Sequence, residues 1–337
     1  MQTVVIGAGR MGFTHLRAVR AAGLTIAAVA DLRRPALDQA AEEFGLESAR
    51  LYSDPAKAIR DTRAPLVIIA TTAPGHCDLT CAAAAAGASH VLCEKPMAVS
   101  LNQCERMLRT CADAGTRLAI NHPMRFMPVY ALPRQRLESA EYGGFRSATV
   151  IGGNCGMAMV VSHKLEMLRW FAGAAPAHVQ AWLDPDQLGN PRGEQFFDRG
   201  GAMRVVTENG RRLYVDISTD QGHGMTSIYA GRHGTLTVDE MTGSITENHR
   251  QAQEREKPSH QYWCPFEATQ TQVPPAESLA PAKAVLAALL NGEDYPSGTE
   301  AVATIRALVA AHVSSEDGGR AVRVDGPLPT DREFPWA

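Results

Sequence analysis

The first third of the chain alternates short β-branched runs with Ala/Leu-rich stretches of helical period. The runs Thr3–Ile6, Thr25–Ala30, Leu66–Ala70, Ser89–Leu92 and Arg117–Ile120 are almost continuously apolar, as expected of strands buried on both faces. Between them Met11–Ala22, Pro35–Phe44, Pro55–Asp61, His76–Ala86 and Leu101–Ala114 carry helical spacing. Ser100 and Gln103 form an S-x-x-Q pair before the last of these, a capping box in which each side chain satisfies a backbone amide of the other. Strands alternating with helices predict an α/β, doubly wound parallel sheet over residues 1–121.

From residue 122 onward the pattern changes. "FRSATVIGG" reads as a strand and "VVSHKLEMLRWFAG" as a helix. "AMRVVTENGRRLYVDIS" places Asn209-Gly210 between two strands, a hairpin signal. "SIYAGRHGTLTVDEMTGSITEN" adds three short strands punctuated by Gly234 and Gly243. Residues 250–280 are polar and Pro-rich and read as a long loop. Helical patterns at Pro281–Leu290 and Thr299–Ser314 follow. Residues 122–337 are therefore expected to form an α+β domain on an open, mostly antiparallel sheet. The helix at 299–314 is expected near the boundary of the two domains.

Composition changes this picture little, but it excludes several functions. Of 337 residues, 45% are hydrophobic and 20% charged, with a formal net charge of -3. That gives no basic field for nucleic acid or anionic membrane. No apolar run reaches the roughly 18 residues of a bilayer span. "MQTVVIGAG" enters a strand at once without a charged leader, so a cytoplasmic protein is expected. Seven cysteines without C-x-x-C fit free thiols rather than disulfides or a metal site. Eleven histidines show no ligand spacing, so no metal is expected.

The candidate chemistry lies at the strand ends. "VVIGAGRMG" puts Gly7, Gly9 and Gly12 in G-x-G-x-x-G after the first strand. Such a turn lets backbone amides, here including those of Arg10 and Met11, approach a pyrophosphate at a helix N-terminus. Asp31 closes the second strand about 20 residues on, where a carboxylate accepts ribose hydroxyls and repels a 2′-phosphate. This predicts NAD. Arg33 and Arg34 leave NADP as the alternative, because a guanidinium binds that phosphate. The following strands close in Thr71-Thr72-Ala73-Pro74, Glu94-Lys95-Pro96 and Asn121-His122-Pro123. Ligands of open α/β sheets bind outside the carboxyl ends of strands, so these groups are expected around one crevice. Pro96 restricts Lys95 to extended geometry, whether the bond between them is cis or trans. His76 and His90 read as structural or solvent-facing, although His76 also stands among the cofactor-side candidates. His122 reads as the terminator of its strand. His163 shares a helical face with Glu166 and Trp170 and has the intrinsic pKa to take a hydroxyl proton.

Together "GAGRMG", "AD" at 30–31, "CEKPMA", "RFMP" at 125–128, "GRHGTLTVD" at 231–239 and "SSEDGGRAVRV" resemble the glucose–fructose oxidoreductase / inositol 2-dehydrogenase / MocA oxidoreductases. The resemblance implies a Rossmann domain, an open-sheet second domain, and hydride transfer between NAD(P) and a sugar, polyol or related carbonyl. It implies homodimers or homotetramers formed through the sheet. It gives Lys95 the place beside nicotinamide and substrate hydroxyl, His163 the proton relay, and Glu166 the acidic position three residues later. Thr71, Thr72, Pro74, Glu94 and Asn121 fall in the nicotinamide half. Met159 departs from the aspartate that many relatives carry four residues before the histidine. That departure points to a less polar substrate or to reduction of a ketone or imine. A non-redox enzyme that borrows NAD for transient oxidation, and an NAD-responsive binding protein, are the remaining alternatives. Trp182, Arg192 and Trp263 are pocket or packing residues.

Overall fold

The computed structural model describes residues 1–153, 155–186, 189–258 and 265–337. The chain divides into two compact units. One comprises Met1–Pro123 together with Glu277–Ile305 and Pro329–Ala337; the other comprises Met124–Ala276 and Arg306–Leu328.

The first unit follows the alternating pattern in chain order. It contains β1 (Gln2–Ile6), α1 (Arg10–Ala21), β2 (Thr25–Ala30), α2 (Arg34–Phe44), β3 (Leu51–Tyr52) and α3 (Pro55–Thr62). It continues through β4 (Leu66–Ile69), α4 (His76–Ala85), β5 (His90–Cys93), α5 (Leu101–Ala114) and β6 (Arg117–Ile120). Among the described residues the strands pair in parallel in the order β3-β2-β1-β4-β5-β6. This order reverses direction between β1 and β4, so their carboxyl ends open a crevice. Val4, Val5, Ile6, Val67, Ile68, Val91 and Leu92 are fully buried or nearly so, which explains their unbroken apolar runs. The two-residue β3 has no period to read, and the sequence reading did not foresee it.

Ser100 caps α5, its Oγ accepting from Gln103 N at 3.3 Å. The expected reciprocal bond is not made. Gln103 Oε1 accepts from Val99 N at 3.4 Å, and Nε2 donates to Glu333 at 2.9 Å. The C-terminal tail draws the glutamine away: Phe334 N donates to Val99 O and Asn102 N to Thr330 O, and Trp336 is fully buried.

The second unit begins with α6 (Pro128–Glu138), β7 (Phe145–Ile151), a π-helical turn (Met157–Val161) and α7 (Ser162–Ala172). There follow β8 (Pro176–Leu183), β9 (Gly201–Thr207), β10 (Arg212–Asp216), β11 (Thr226–Gly231), β12 (Gly234–Asp239), β13 (Ser244–Arg250) and β14 (Phe266–Gln272). The helices α8 (Leu279–Asn291) and α9 (Gly298–Glu316) and the short β15 (Val322–Arg323) close the chain. The second sheet has the order β14-β13-β12-β11-β7-β10-β9-β8-β15. Its pairs are antiparallel except β7 with β10. The Asn209-Gly210 turn joins β9 to β10 as expected, with Gly210 at φ +78°.

Two expectations are corrected here. The 250–280 loop contains β14, which pairs along its whole length with β13. Its exposure on both faces hid the strand, because an edge strand needs no apolar alternation. The expected continuous 122–337 segment is also interrupted. α8 packs on α1 of the first unit, and Val285, Leu286 and Leu289 bury the apolar stripe that makes this contact favourable. No helix of the described residues is long and apolar enough to cross a membrane.

Candidate active site

The glycine turn has the shape a dinucleotide requires. Gly7 lies at φ +93°, and a Cβ there would stand 2.5 Å from Ala70 O; a Cβ on Gly12 would stand 1.9 Å from Gly7 O. Neither position admits a side chain. Gly9 differs: a Cβ would meet only the Arg33 guanidinium, at 3.9 Å. It caps α1 with no side-chain bond to the helix, and no acid stands in the first turn beside Arg10 and Met11. The N-terminal amides thus face open space with uncompensated partial positive charge. These residues fit a pyrophosphate.

Asp31 is buried, and Ala8 N in the glycine turn donates to its Oδ2 at 2.7 Å. Its Oδ1 accepts from Arg33 N at 2.8 Å and Nε at 3.2 Å. The carboxylate therefore joins the ends of β1 and β2 and keeps acceptor capacity for a hydroxyl. Arg34 turns to Asp38 (2.8 Å) on α2 rather than to Asp31.

Around β5 the sequence motif becomes a braced segment. Glu94 is buried, and its Oε1 accepts from His15 Nε2 at 2.8 Å and Asn121 Nδ2 at 2.7 Å. Its Oε2 accepts from Lys95 N at 3.3 Å. Burial opposes the charge most strongly. The His15 hydrogen bond, the charges of His15 and Lys95 and the Asn121 amide together outweigh it and hold the carboxyl at about 2. The Lys95–Pro96 bond is cis. His76 Nδ1 lies 2.9 Å from Pro96 O and its Nε2 3.1 Å from Thr71 O; the ring stands between this segment and the end of β4, and its one N–H when neutral donates to one of the two carbonyls. Burial, the largest influence, pushes the His76 pKa below the ordinary range, against its two carbonyl bonds and Glu94. His76 is fully buried; it acts as a clamp behind Thr71 and Pro96. Thr71 and Thr72 are half-buried and Pro74 exposed at the β4 end. Asn121 and His122 are buried at the β6 end, and His90 is half-buried beside Ser89.

In the second unit His163 opens α7, half-buried. Glu166 is buried and accepts from Arg125 and, at 3.0 Å, from Arg169 Nε. Lys164, beside His163, turns into the core. It pairs with Glu240 and donates to Tyr130 Oη at 3.2 Å. Tyr130 and Ser227 donate to the same Glu240 at 2.6 and 2.5 Å. Asp198 receives Ala158 N at 2.9 Å and Met159 N at 2.8 Å. A carboxylate thus reaches the π turn at Met159, brought from a distant part of the chain.

The sequence reading did not single out His15, Asp198 or Arg169. His15 had one signal, its position one helical step from Gly12; Asp198 had none. Trp182 is exposed and lies on β8, Arg192 is exposed in the loop after it, and Trp263 lies outside the described residues. No group of three or more metal-ligating side chains occurs among the described residues.

The family model described as an oxidoreductase family with an NAD-binding Rossmann fold matches residues 1–122. An inositol 2-dehydrogenase of Mycolicibacterium smegmatis is 32% identical over 262 residues, 73% of this chain and 74% of that protein. Inositol 2-dehydrogenase 2 of Saccharopolyspora erythraea is 30% identical over 66% of this chain and 68% of its own length. The crystal structure of an Agrobacterium radiobacter oxidoreductase with NAD+, L-tartaric acid and magnesium superposes with a TM-score of 0.80. That match has 21% identity and covers 96% of this chain and 98% of the other. The chain belongs to the glucose–fructose oxidoreductase / inositol 2-dehydrogenase / MocA family and is an NAD-dependent oxidoreductase.

Proposed function

We propose that the protein oxidises a secondary alcohol carbon of a sugar or polyol, or reduces the corresponding carbonyl, with Lys95 and His163 managing the proton. The observation that carries this reading is the double brace on the Lys95 segment. Glu94 fixes Lys95 N from one side and His76 fixes Pro96 O from the other. A lysine on a mobile surface loop needs no such support.

NAD, when bound, supplies the hydride acceptor. The backbone over Gly7, Gly9, Arg10, Met11 and Gly12 would hold its pyrophosphate and Asp31 its adenosine ribose. Thr71, Thr72, Pro74, Glu94 and Asn121 would flank its nicotinamide half. A 2′-phosphate would meet the buried Asp31 carboxylate, which supports NAD over NADP. Lys95 donates a hydrogen bond to the reacting oxygen, and its charge stabilises the developing alkoxide. His163 accepts the hydroxyl proton in oxidation and returns it in reduction. Glu166, set by Arg125 and Arg169, is a positioning residue on the same helix.

The second sheet supports a self-associating protein. Trp182, Ile151, Tyr214 and Ile228 are 37–55% exposed. The strand register puts all four on one face, a surface a second copy would cover. Sedimentation of Tyr214→Arg tests this; a species of unchanged mass would reject the sheet as the interface.

The catalytic reading is tested by Lys95→Met. Stabilisation by NAD is expected to stay near wild type, while turnover of a polyol series headed by inositol falls by about three orders of magnitude. Near wild-type turnover would remove Lys95 from the chemistry.

A further inference from the structure

We propose that one end of the second sheet binds a phosphate-bearing small molecule with two or more negative charges, at a site separate from the candidate active site. β7 and β10 run in parallel with Arg212 opposite Ser147, and β11 runs against β7 with Gly231 opposite Phe145. β12 begins where β13 ends, with Gly234 opposite His249. The starts of β7, β10 and β12 and the ends of β11 and β13 therefore gather at one end. They carry Arg146, Arg211, Arg212, Arg232, His233 and Arg250.

What distinguishes this end is that its arginines lack carboxylate partners: Glu267 lies 3.9 Å from His249 and the charge of Glu256 acts on His233, but neither pairs with an arginine. Every Asp and Glu of the chain is among the described residues, and none pairs with any of these five arginines. Arg146 donates only to the carbonyls of Phe145 (3.2 Å) and Gly143 (3.1 Å). Arg212 donates to Gly210 O at 3.3 Å, and Arg250 to the carbonyls of Glu254 and Lys257. Several arginines elsewhere find carboxylates: Arg17 with Glu43, Arg106 with Asp78, Arg134 with Glu138, Arg323 with Asp325. A net charge of -3 leaves acids to spare, yet none bonds to these five arginines. Burial and the charges of Arg211, Arg232 and Arg212 push the Arg146 pKa down, which places the four within each other's field. His233 Nδ1 is buried with no partner among the described residues.

Like charges so gathered repel unless an anion joins them. One carboxylate from a partner would leave most of that charge unmatched, whereas phosphate oxygens accept several guanidinium forks at once. The patch is not the candidate active site of this unit. It lies at the end where α7 finishes, Asn209 Nδ2 donating to Ala172 O at 2.8 Å. His163 opens α7 about 13 Å away along the helix axis.

Calorimetric titration of the full chain with inorganic pyrophosphate tests this, with NAD saturating so that the glycine turn is already filled. One class of site is expected in the wild type. Affinity should fall severalfold in Arg232→Gln, at an exposed position with no side-chain bond to the described residues, and at least about tenfold in Arg212→Gln/Arg232→Gln. No heat with the wild type, or equal affinity in both variants, would overturn the proposal. So would a single-stranded oligonucleotide that binds through these arginines where pyrophosphate does not. Loss of self-association in the variants, without any pyrophosphate binding by the wild type, would make the patch an interface and also reject it.

Discussion

Lys95 and His163 are set by opposite means. Lys95 follows a buried strand, and the groups that hold it act on its own backbone and that of the next residue: Glu94 Oε2 on Lys95 N, His76 on Pro96 O. His163 opens a helix whose support comes from far along the chain. Asp198 holds the π turn before it, and Glu240 and Tyr130 hold the neighbouring Lys164. The first arrangement places one residue tightly. The second places a whole helix through charged groups, so it tolerates change less at the network and more at any one bond.

If that contrast holds, the largest stability effect belongs to the second unit. Lys164→Met removes the cation from a buried pair and leaves Glu240 with only the hydroxyls of Tyr130 and Ser227. A loss of roughly 3–5 kcal/mol is expected in urea unfolding. The double variant Lys164→Met/Glu240→Met should recover part of it, because no buried charge remains. Equal losses in both would mean that packing, not charge, holds α7.

The first unit should respond to pH instead. The Glu94 carboxyl is depressed to about 2 in the folded chain against roughly 4.3 when unfolded. Its stabilisation is complete above the unfolded value and is lost as pH falls through the folded one. Stability should therefore decline between about pH 4.3 and 2 by up to roughly 3 kcal/mol more in the wild type than in Glu94→Gln. Parallel pH profiles would show that His15 and Asn121 do not hold a charged carboxylate.

Asp198→Asn is expected to cost less, about 1–2 kcal/mol, because the amide oxygen still accepts from one backbone N–H. Its sharper readout is kinetic. If Asp198 positions His163 through the π turn, kcat should fall several-fold with KM nearly constant, and the pH at half-maximal rate should move. An unchanged kcat and pH profile would leave Asp198 a purely structural cap.

What was legible in the sequence divides along the same line. Gly7, Gly9, Gly12, Asp31 and Glu94-Lys95-Pro96 are local motifs whose spacing follows from a strand, a turn and a helix, and each stands at a strand end as expected. The bonds between them were not legible. His15 meets Glu94 only because the fold brings α1 to the residue that follows β5, and His76 reaches Pro96 O only once α4 and that segment are folded. Asp198 lies in a polar stretch without periodicity, so nothing local tied it to Met159. α6 went unread because Pro128 and Pro133 mask its period, and β14 because it buries neither face. The tail at 329–337 joins the first unit through backbone bonds to Val99 and Asn102, the Gln103–Glu333 bond and the buried Phe334 and Trp336, a stretch too short and irregular to show a period.

The smallest expected change in stability is also the most direct test of the first unit's site. Gly9 has φ -85°, a conformation open to any residue. Its Cβ would meet nothing nearer than the Arg33 guanidinium at 3.9 Å. Gly9→Ala should therefore fold with a loss of no more than about 1 kcal/mol, the cost of a poorer helix cap. Gly12→Ala should fare far worse, since its Cβ falls 1.9 Å from Gly7 O. The two glycines differ in what lies beside them: for Gly12 it is the protein's own backbone, for Gly9 open space in which a ligand could sit. NAD at about 100 times its dissociation constant stabilises a folded protein by roughly 2.7 kcal/mol, and in Gly9→Ala most of that gain should disappear from thermal unfolding. Full NAD stabilisation in Gly9→Ala would mean that the cofactor does not lie over this turn, and the roles assigned to Asp31 and Lys95 would fail with it.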